Sequence, residues 1–581
     1  MTPDYFTLAK EARKLDVRAC TQTVRLALLG DFATQHLTAI LRVLFCRSGI
    51  DARIFEAEYD AIASQAFDPG SQLYAHAPEA IVLLNSTARL RARYYGFGDD
   101  KSAFAATMAD EIASVWDAIA ARTQVPIVQS TYVLPTERLF GNYDNKVDAS
   151  LYACVRQLNS AIVDRARQRP QILLNDLDYI ASYVGRKSWF DETLWMVSKS
   201  LCALEHLPLV ARNIVDIVLA TRGTGVKCIV LDLDNTLWGG VVGDDGVEGI
   251  RLGHLGDGEA FEVFQSYLRE LRRRGILLAV CSKNDHETAM RVFREHPHMV
   301  LREDDIAVFV ANWENKVDNL IGIQATLKIG FDSMVFLDDN PFERGFVRQR
   351  LPEVIVPELP EDPANYVACL SELNLFETTT ASAVDRDRTA TYRTETRRVV
   401  ERASFANLDD YLQSLQMTIT IRRFDRFHLP RIAQLIQRSN QFNLTTRRYS
   451  EAECESLMTD TESIFPFWAS LTDRFGDNGL ILVAICRFAG DDVEIDSFLM
   501  SCRVLQRGVE QQAMNTIVDA ARQRGARRVI GRYVPTAKNA MVKSFYRQFG
   551  FQQMAEEADG TTTFALDVAA YVPIPVWMET Q

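Results

Sequence analysis

Apolar residues in the first third of the chain gather into short unbroken runs: VRLALLGD (24–31), AIVLLN (80–85) and PIVQSTY (126–132). Runs of this length, separated by helical patterns, read as buried strands of a mostly parallel α/β layer. The alternation returns near residue 222. There KCIVLDLD (227–234), ILLAVCS (276–282) and SMVFLDD (333–339) predict three more strands, and the block closes near LPEVIVPELP (351–360). Between them Phe261, Phe264, Leu268 and Leu271 fall at helical spacing and predict one helix running to Gly275. From about 376 to 410 the pattern gives way to a polar, Thr-rich, highly charged stretch that reads as an exposed linker, after which a third block runs to about 570. There is no repeat of fixed period.

Length and charge narrow the picture. With 581 residues and 47% apolar composition, the chain has material for roughly three or four domains of ~150 residues. Its net charge of −13 offers no footprint for sequence-independent nucleic-acid binding. The opening MTPDYFTLAKEARKLD lacks a basic-then-apolar signal pattern, and no run approaches the ~20 apolar residues of a membrane span, so a soluble, cytoplasmic protein is expected. Ten cysteines without CxxC spacing read as small buried hydrophobes, and no structural zinc site is expected from them.

The chemistry enters at the strand ends. Asp232 and Asp234 close an otherwise apolar strand two positions apart, so they share a face and are expected to sit close together and to repel unless something holds them. They stand at the carboxyl end, where open α/β sheets place ligands. Ser282 ends the next strand, followed by Lys283-Asn284-Asp285; Lys316 follows in NWENKVDNL, and Asp338-Asp339 end a later strand.

This order resembles the haloacid dehalogenase superfamily of phosphoryl-transfer enzymes. The resemblance implies that Asp232 is the nucleophile forming an aspartyl phosphate and that Asp234 protonates the leaving oxygen and later deprotonates water. A raised pKa suits that second task, and a neighbouring carboxylate favours it. Ser282 and Lys316 would hold phosphoryl oxygens, with Thr236 and Asn284 as substrate contacts. Mg²⁺ would rest on Asp232, the Asp234 backbone carbonyl and Asp338, with Asp339 behind them. About 50 residues separate Asp232 from Ser282 and 34 separate Ser282 from Lys316, too few for a cap domain, so the site should be open. Arg272-Arg273-Arg274 reads as basic residues in a last helical turn, or as a dock for an acidic partner.

The wording LDLDNTLWGGVVGDDGVEGIRLG, CSKND, NWENK and VFLDDNPFER, with QRSNQFNLTTRRYS (437–450) and MSCRVLQRGVE (500–510), is similar to the FkbH-like family over nearly the whole chain. That resemblance implies an α/β multidomain protein. An SGNH/flavodoxin-like parallel α/β domain (1–210) would precede an uncapped haloacid dehalogenase-like Rossmannoid domain (222–375), a linker (376–412) and a GNAT-like α+β domain (413–572). It further implies transfer of a phosphoglyceryl group from 1,3-bisphosphoglycerate to a protein thiol, removal of the phosphate, and delivery of glyceryl to the phosphopantetheine arm of an acyl carrier protein, in polyketide or related biosynthesis. In the GNAT-like block Cys502 would carry the acyl group, with Cys281 as rival, and Tyr546 would protonate the departing thiolate. Arg507 and Gly508 belong to the pyrophosphate turn, yet Glu510 stands where a second glycine is usual and makes coenzyme A an awkward guest. In the first block LLGDFATQHL resembles an SGNH motif with Phe32 in place of the nucleophile and with Trp195 where a catalytic histidine is sought. It reads as an interaction domain, with Thr34 and Asn85 as weak site candidates. The competing reading is a phosphatase of a free small metabolite whose flanking domains bind or scaffold.

Overall fold

A computed structural model of the chain describes residues 4–379, 398, 407–501, 504–536 and 538–581. It divides into two compact units, Met1–Arg222 with Ser450–Glu453, and Gly223–Tyr449 with Cys454–Gln581. Among the described residues no helix is long and apolar enough to cross a membrane.

The first unit is built on five parallel strands, β1 (Gln22–Gly30), β2 (Ile50–Glu56), β3 (Ala80–Leu84), β4 (Ile127–Ser130) and β5 (Ile172–Asn175), in the order β2-β1-β3-β4-β5. Alternation splits β1 between two cores. Leu26 and Leu28 face helices Gln35–Arg47 and Leu207–Thr221, and Ala27 and Leu29 face Phe104–Ala120 and Leu151–Arg167. Sequence reading anticipates β1, β3 and β4; β2 and β5 are additions.

The second unit holds two sheets. One is wholly parallel, β6 (Cys228–Leu231), β7 (Leu277–Ser282), β8 (Ile306–Ala311) and β9 (Met334–Leu337), in the order β8-β7-β6-β9. Its strands are apolar on both faces because helices cover both. Helix Asp257–Arg273 supplies Phe261, Phe264, Leu268 and Leu271 to one of these cores, and the chain turns at Gly275, whose φ of +99° suits glycine.

The other sheet is mixed: β10 (Met417–Arg423), β11 (Ile464–Asp473), β12 (Gly476–Ala489), β13 (Asp492–Met500), β14 (Arg528–Tyr533), β15 (Gln552–Glu556), β16 (Thr562–Asp567) and β17 (Met578–Thr580). β10 to β13 run antiparallel in sequence order, and helix Val509–Gln523 then crosses over so that β14 lies parallel to β13. This is the α+β, GNAT-like arrangement. The β13–β14 pairing covers only Asp492–Ile495 against Arg528–Gly531. Beyond it the gap is bridged by the chain itself: Leu444 donates its N–H to Phe498 O, Met500 donates to Phe442 O, and Val534 donates to Leu444 O.

Candidate active site

The site begins with register. Leu231 pairs with Leu337, so Asp232 and Asp338 follow as the next rung, with Asp232 N–H donating to Leu337 O at 2.9 Å. Two buried carboxylates at equal height repel strongly where water is excluded. Lys316 lies between them, its Nζ 3.0 Å from Asp232 Oδ2 and 2.5 Å from Asp338 Oδ2. Asn315 caps the helix Lys316–Leu327 and so fixes where that ammonium enters. Burial opposes the lysine's charge, but Asp232 and Asp338 outweigh it and raise its pKa. Asp338 is pushed up to about 6 by burial and by Asp232, against the pull of Lys316 and the Asn340 N–H. Asp339 is also raised, by burial and then by Asp232.

Carboxylate oxygens of Asp232, Asp338 and Asp339 lie within 4.8 Å of one another. Asp232 Oδ1 is buried with no hydrogen-bond partner. The carboxylates grouped with Asp232 are those of Asp338 and Asp339, where spacing alone pointed to Asp234. β6 ends at Leu231 and Asn235 adopts a left-handed φ of +55°, so strand alternation does not carry through Asp234. Its carboxylate turns to another set of partners: Oδ1 accepts from Trp238 Nε1 (2.8 Å) and Val242 N (3.0 Å), and Oδ2 accepts from Asn284 Nδ2 (2.8 Å).

The remaining expected groups converge. Ser282 is buried at the end of β7, its hydroxyl 3.4 Å from Asn284 Nδ2. Thr236 is fully buried, and its hydroxyl accepts from Asp339 N–H at 3.2 Å. Sequence reading passed over three supports. Trp238 orients Asp234; Arg344 donates to the Asp338 and Asp339 carbonyls (2.8 and 2.6 Å); Lys283 pairs with Glu343 at 2.6 Å. All stand inside the quoted motifs, but nothing in their spacing announces a role. Cys281 faces the opposite core, and burial raises its thiol pKa.

The third block places its candidates differently. Cys502 lies outside the described residues. Tyr546 is corrected from proton donor to core residue. It is 1% exposed among Phe545, Phe551 and Phe564, its hydroxyl has no partner, and burial raises its pKa. Arg507 is corrected from a substrate contact to a buried ion-pair member, its guanidinium 3.2 Å from Asp473, which also takes Arg398 at 2.7 Å. Gly508 opens the helix Val509–Gln523 with φ +87°. Glu510 folds back so that Oε1 accepts from Gln506 N–H at 3.2 Å, while Oε2 is buried without a partner and burial raises the pKa.

In the first unit Phe32 is buried, Thr34 donates to Glu56 at 2.6 Å, and Asn85 bridges Gln129 and Asp31. Burial pushes Asp31 up to about 6.

A family model described as the FkbH N-terminal domain matches residues 25–219. Among solved structures, the N-terminal part of the protein BF1531 from Bacteroides fragilis, containing a phosphatase domain complexed with Mg, is 40% identical. That match covers 64% of this chain and 99% of that one, with a TM-score of 0.61. The ribosomal-protein-S18-alanine N-acetyltransferase from Escherichia coli matches at 19% identity over 26% of this chain and 94% of its own, with a TM-score of 0.21. No curated protein matches the chain. Parallel sheet, acidic strand ends and buried lysine define a haloacid dehalogenase-type domain. The chain belongs to the FkbH-like family.

Proposed function

We propose that the chain is a Mg²⁺-dependent phosphatase with Asp232 as nucleophile, acting on a phosphoglyceryl group drawn from 1,3-bisphosphoglycerate and destined for an acyl carrier protein. The observation that carries the phosphatase reading is Asp232 Oδ1, a buried carboxylate oxygen without a hydrogen-bond partner beside two further carboxylates and a shared ammonium. Those three carboxylates fit a hard dication, which takes oxygen ligands. Bound there by Asp232, Asp338 and Asp339, Mg²⁺ would offset the repulsion between the nucleophile and the incoming phosphate.

The chain's own residues do the rest. Asp232 attacks phosphorus while the bond to the leaving oxygen breaks, and Asp234 supplies that oxygen's proton from the orientation fixed by Trp238, Val242 and Asn284. Asp234 then takes a proton from the water that cleaves the aspartyl phosphate. Lys316 gives two N–H groups to carboxylates and has a third for a phosphoryl oxygen, and the Ser282 hydroxyl, 3.4 Å from the same Asn284 Nδ2 that holds Asp234, would donate to another.

Asp232→Asn should abolish Mg²⁺-dependent hydrolysis of an aryl phosphate; retained hydrolysis would sink the assignment. The glyceryl step is tested by intact-mass measurement of carrier protein incubated with the enzyme, Mg²⁺ and 1,3-bisphosphoglycerate, where a glyceryl adduct is expected. A second reading, hydrolysis of a free small phosphorylated metabolite with scaffolding flanks, is favoured by the buried Tyr546 and by the occupied edge of β13, along which an acyl thioester would lie. Phosphate release from small phosphates without any adduct would select it.

A further inference from the structure

One cluster of ligating side chains stands apart from the aspartates. His254 Nδ1 lies 3.1 Å from Glu262 Oε2, and His298 Nδ1 lies 3.0 Å from Glu262 Oε1. The two imidazoles meet edge to face, with ring centroids 4.5 Å apart at 86°, and one donor atom from each of the three residues lies within 4.8 Å of the others. A tetrahedral zinc ion with bonds of about 2.0–2.1 Å separates neighbouring donors by about 3.3 Å; each imidazole already stands 3.0–3.1 Å from one Glu262 oxygen, and three donors within 4.8 Å need only a small closure to meet a common ion.

The backbone serves the same arrangement. Gly253 has φ +151°, and a Cβ there would come 3.4 Å from His298 Cδ2, so the loop bearing His254 lies against the second imidazole. His298 N–H donates to His296 Nδ1 at 3.3 Å, which ties the second ligand's backbone to a buried ring. Glu262, Ser266 and Arg269 follow at i, i+4 and i+7 along helix Asp257–Arg273 and line one open groove with Pro297 and His298. Arg269 Nε is buried there with no hydrogen-bond partner.

We propose that His254, Glu262 and His298 form a three-ligand site for zinc(II) or a similar first-row transition ion, with the remaining coordination position open to the groove. Three protein ligands plus an open position is the pattern of zinc sites that take water or an anionic ligand. The expectation against zinc drawn from the cysteines does not touch it, because these donors are imidazole and carboxylate. The site is independent of the phosphatase reading.

Full-length protein stripped with EDTA and kept in excess Mg²⁺ is titrated with Co²⁺. One ion per chain should bind with the intense visible absorption of four-coordinate cobalt, and Zn²⁺ should displace it. His298→Ala and Glu262→Gln should each weaken binding by at least about tenfold, while Asp232→Asn keeps the band. Aryl-phosphate hydrolysis by the His298→Ala variant should match the unaltered enzyme. Absence of the band, the weak spectrum of octahedral cobalt, or a band that survives both ligand variants overturns the proposal.

Discussion

Asp234 depends on three nitrogen donors, and Trp238 is the one a single substitution removes cleanly. Trp238→Phe keeps an aromatic ring in the core against Phe293 but deletes the Nε1–H that holds Oδ1. A hydrogen bond to a charged group contributes about 1.5–3 kcal/mol, so kcat for aryl-phosphate hydrolysis should fall about tenfold to a hundredfold, with KM little changed. An unchanged kcat in a variant that melts normally would remove Trp238 from the machinery. Asp338 supplies a pH test. Its folded-state pKa of about 6 exceeds the ordinary 3.8, so the folded protein holds this proton more tightly than the unfolded chain. Its contribution is full below about pH 4 and is lost as pH rises through 6. Melting temperature without metal should therefore fall from pH 5 to pH 7, Mg²⁺ should restore more at pH 7 than at pH 5, and Asp338→Asn should flatten both responses. The acidic strand ends were legible in the sequence because burying an apolar run that finishes in carboxylates is costly unless a cation or a ligand meets them. Which carboxylates meet was not, because the meeting of Asp232 with Asp338 is set by cross-strand register, and local spacing suggests Asp234 instead.

Strands announced themselves where apolar runs ended in chemistry, as in β6, β7 and β9. The run IAVFVA of β8 carries no reactive residue, β2 is a partly exposed edge strand, and β5 is an edge strand whose two middle residues are only half-buried, so pattern alone did not single them out. The bridging of β13 to β14 by Phe442–Leu444 was beyond sequence reading, since it joins backbone groups and leaves no side-chain signature. Together with Glu510 folded into the turn at the helix start, it occupies, among the described residues, the β13 edge and the turn that coenzyme A would need. Coenzyme A should accordingly leave the melting temperature unchanged; a saturable rise would show that the segment yields. Burial raises the Glu510 pKa, so its ionisation disfavours the folded state as pH rises. Glu510→Gln should be more stable than the unaltered protein at pH 8, with the gap closing toward pH 4, as read by denaturant melts.

No cap domain is inserted between the first two strands of the parallel sheet that bears the aspartate cluster. Between Asp232 and Ser282 the chain forms only helices Val242–Gly249 and Asp257–Arg273 before returning to β7. Binding energy for a small phosphate is limited in such an open site, whereas a bulky carrier can contribute contacts remote from phosphorus. If the substrate is tethered, kcat/KM for a phosphoglyceryl thioester on carrier protein should exceed that for an aryl phosphate by at least about tenfold; parity would favour the free-metabolite reading.

The last strand of the mixed sheet has a temporal consequence. β17 pairs with β10, Met578 opposite Met417, and Gln581 N–H donates to Ile419 O. During synthesis the sheet therefore carries an unsatisfied edge at β10 until residue 580 has cleared the ribosome, long after the parallel sheet bearing Asp232 has all its strands. Exposed edges are where nascent chains associate wrongly. Arrest of translation between β16 and β17 should thus yield chains with a formed aspartate site and a sticky β10, whose partners could be captured by cross-linking.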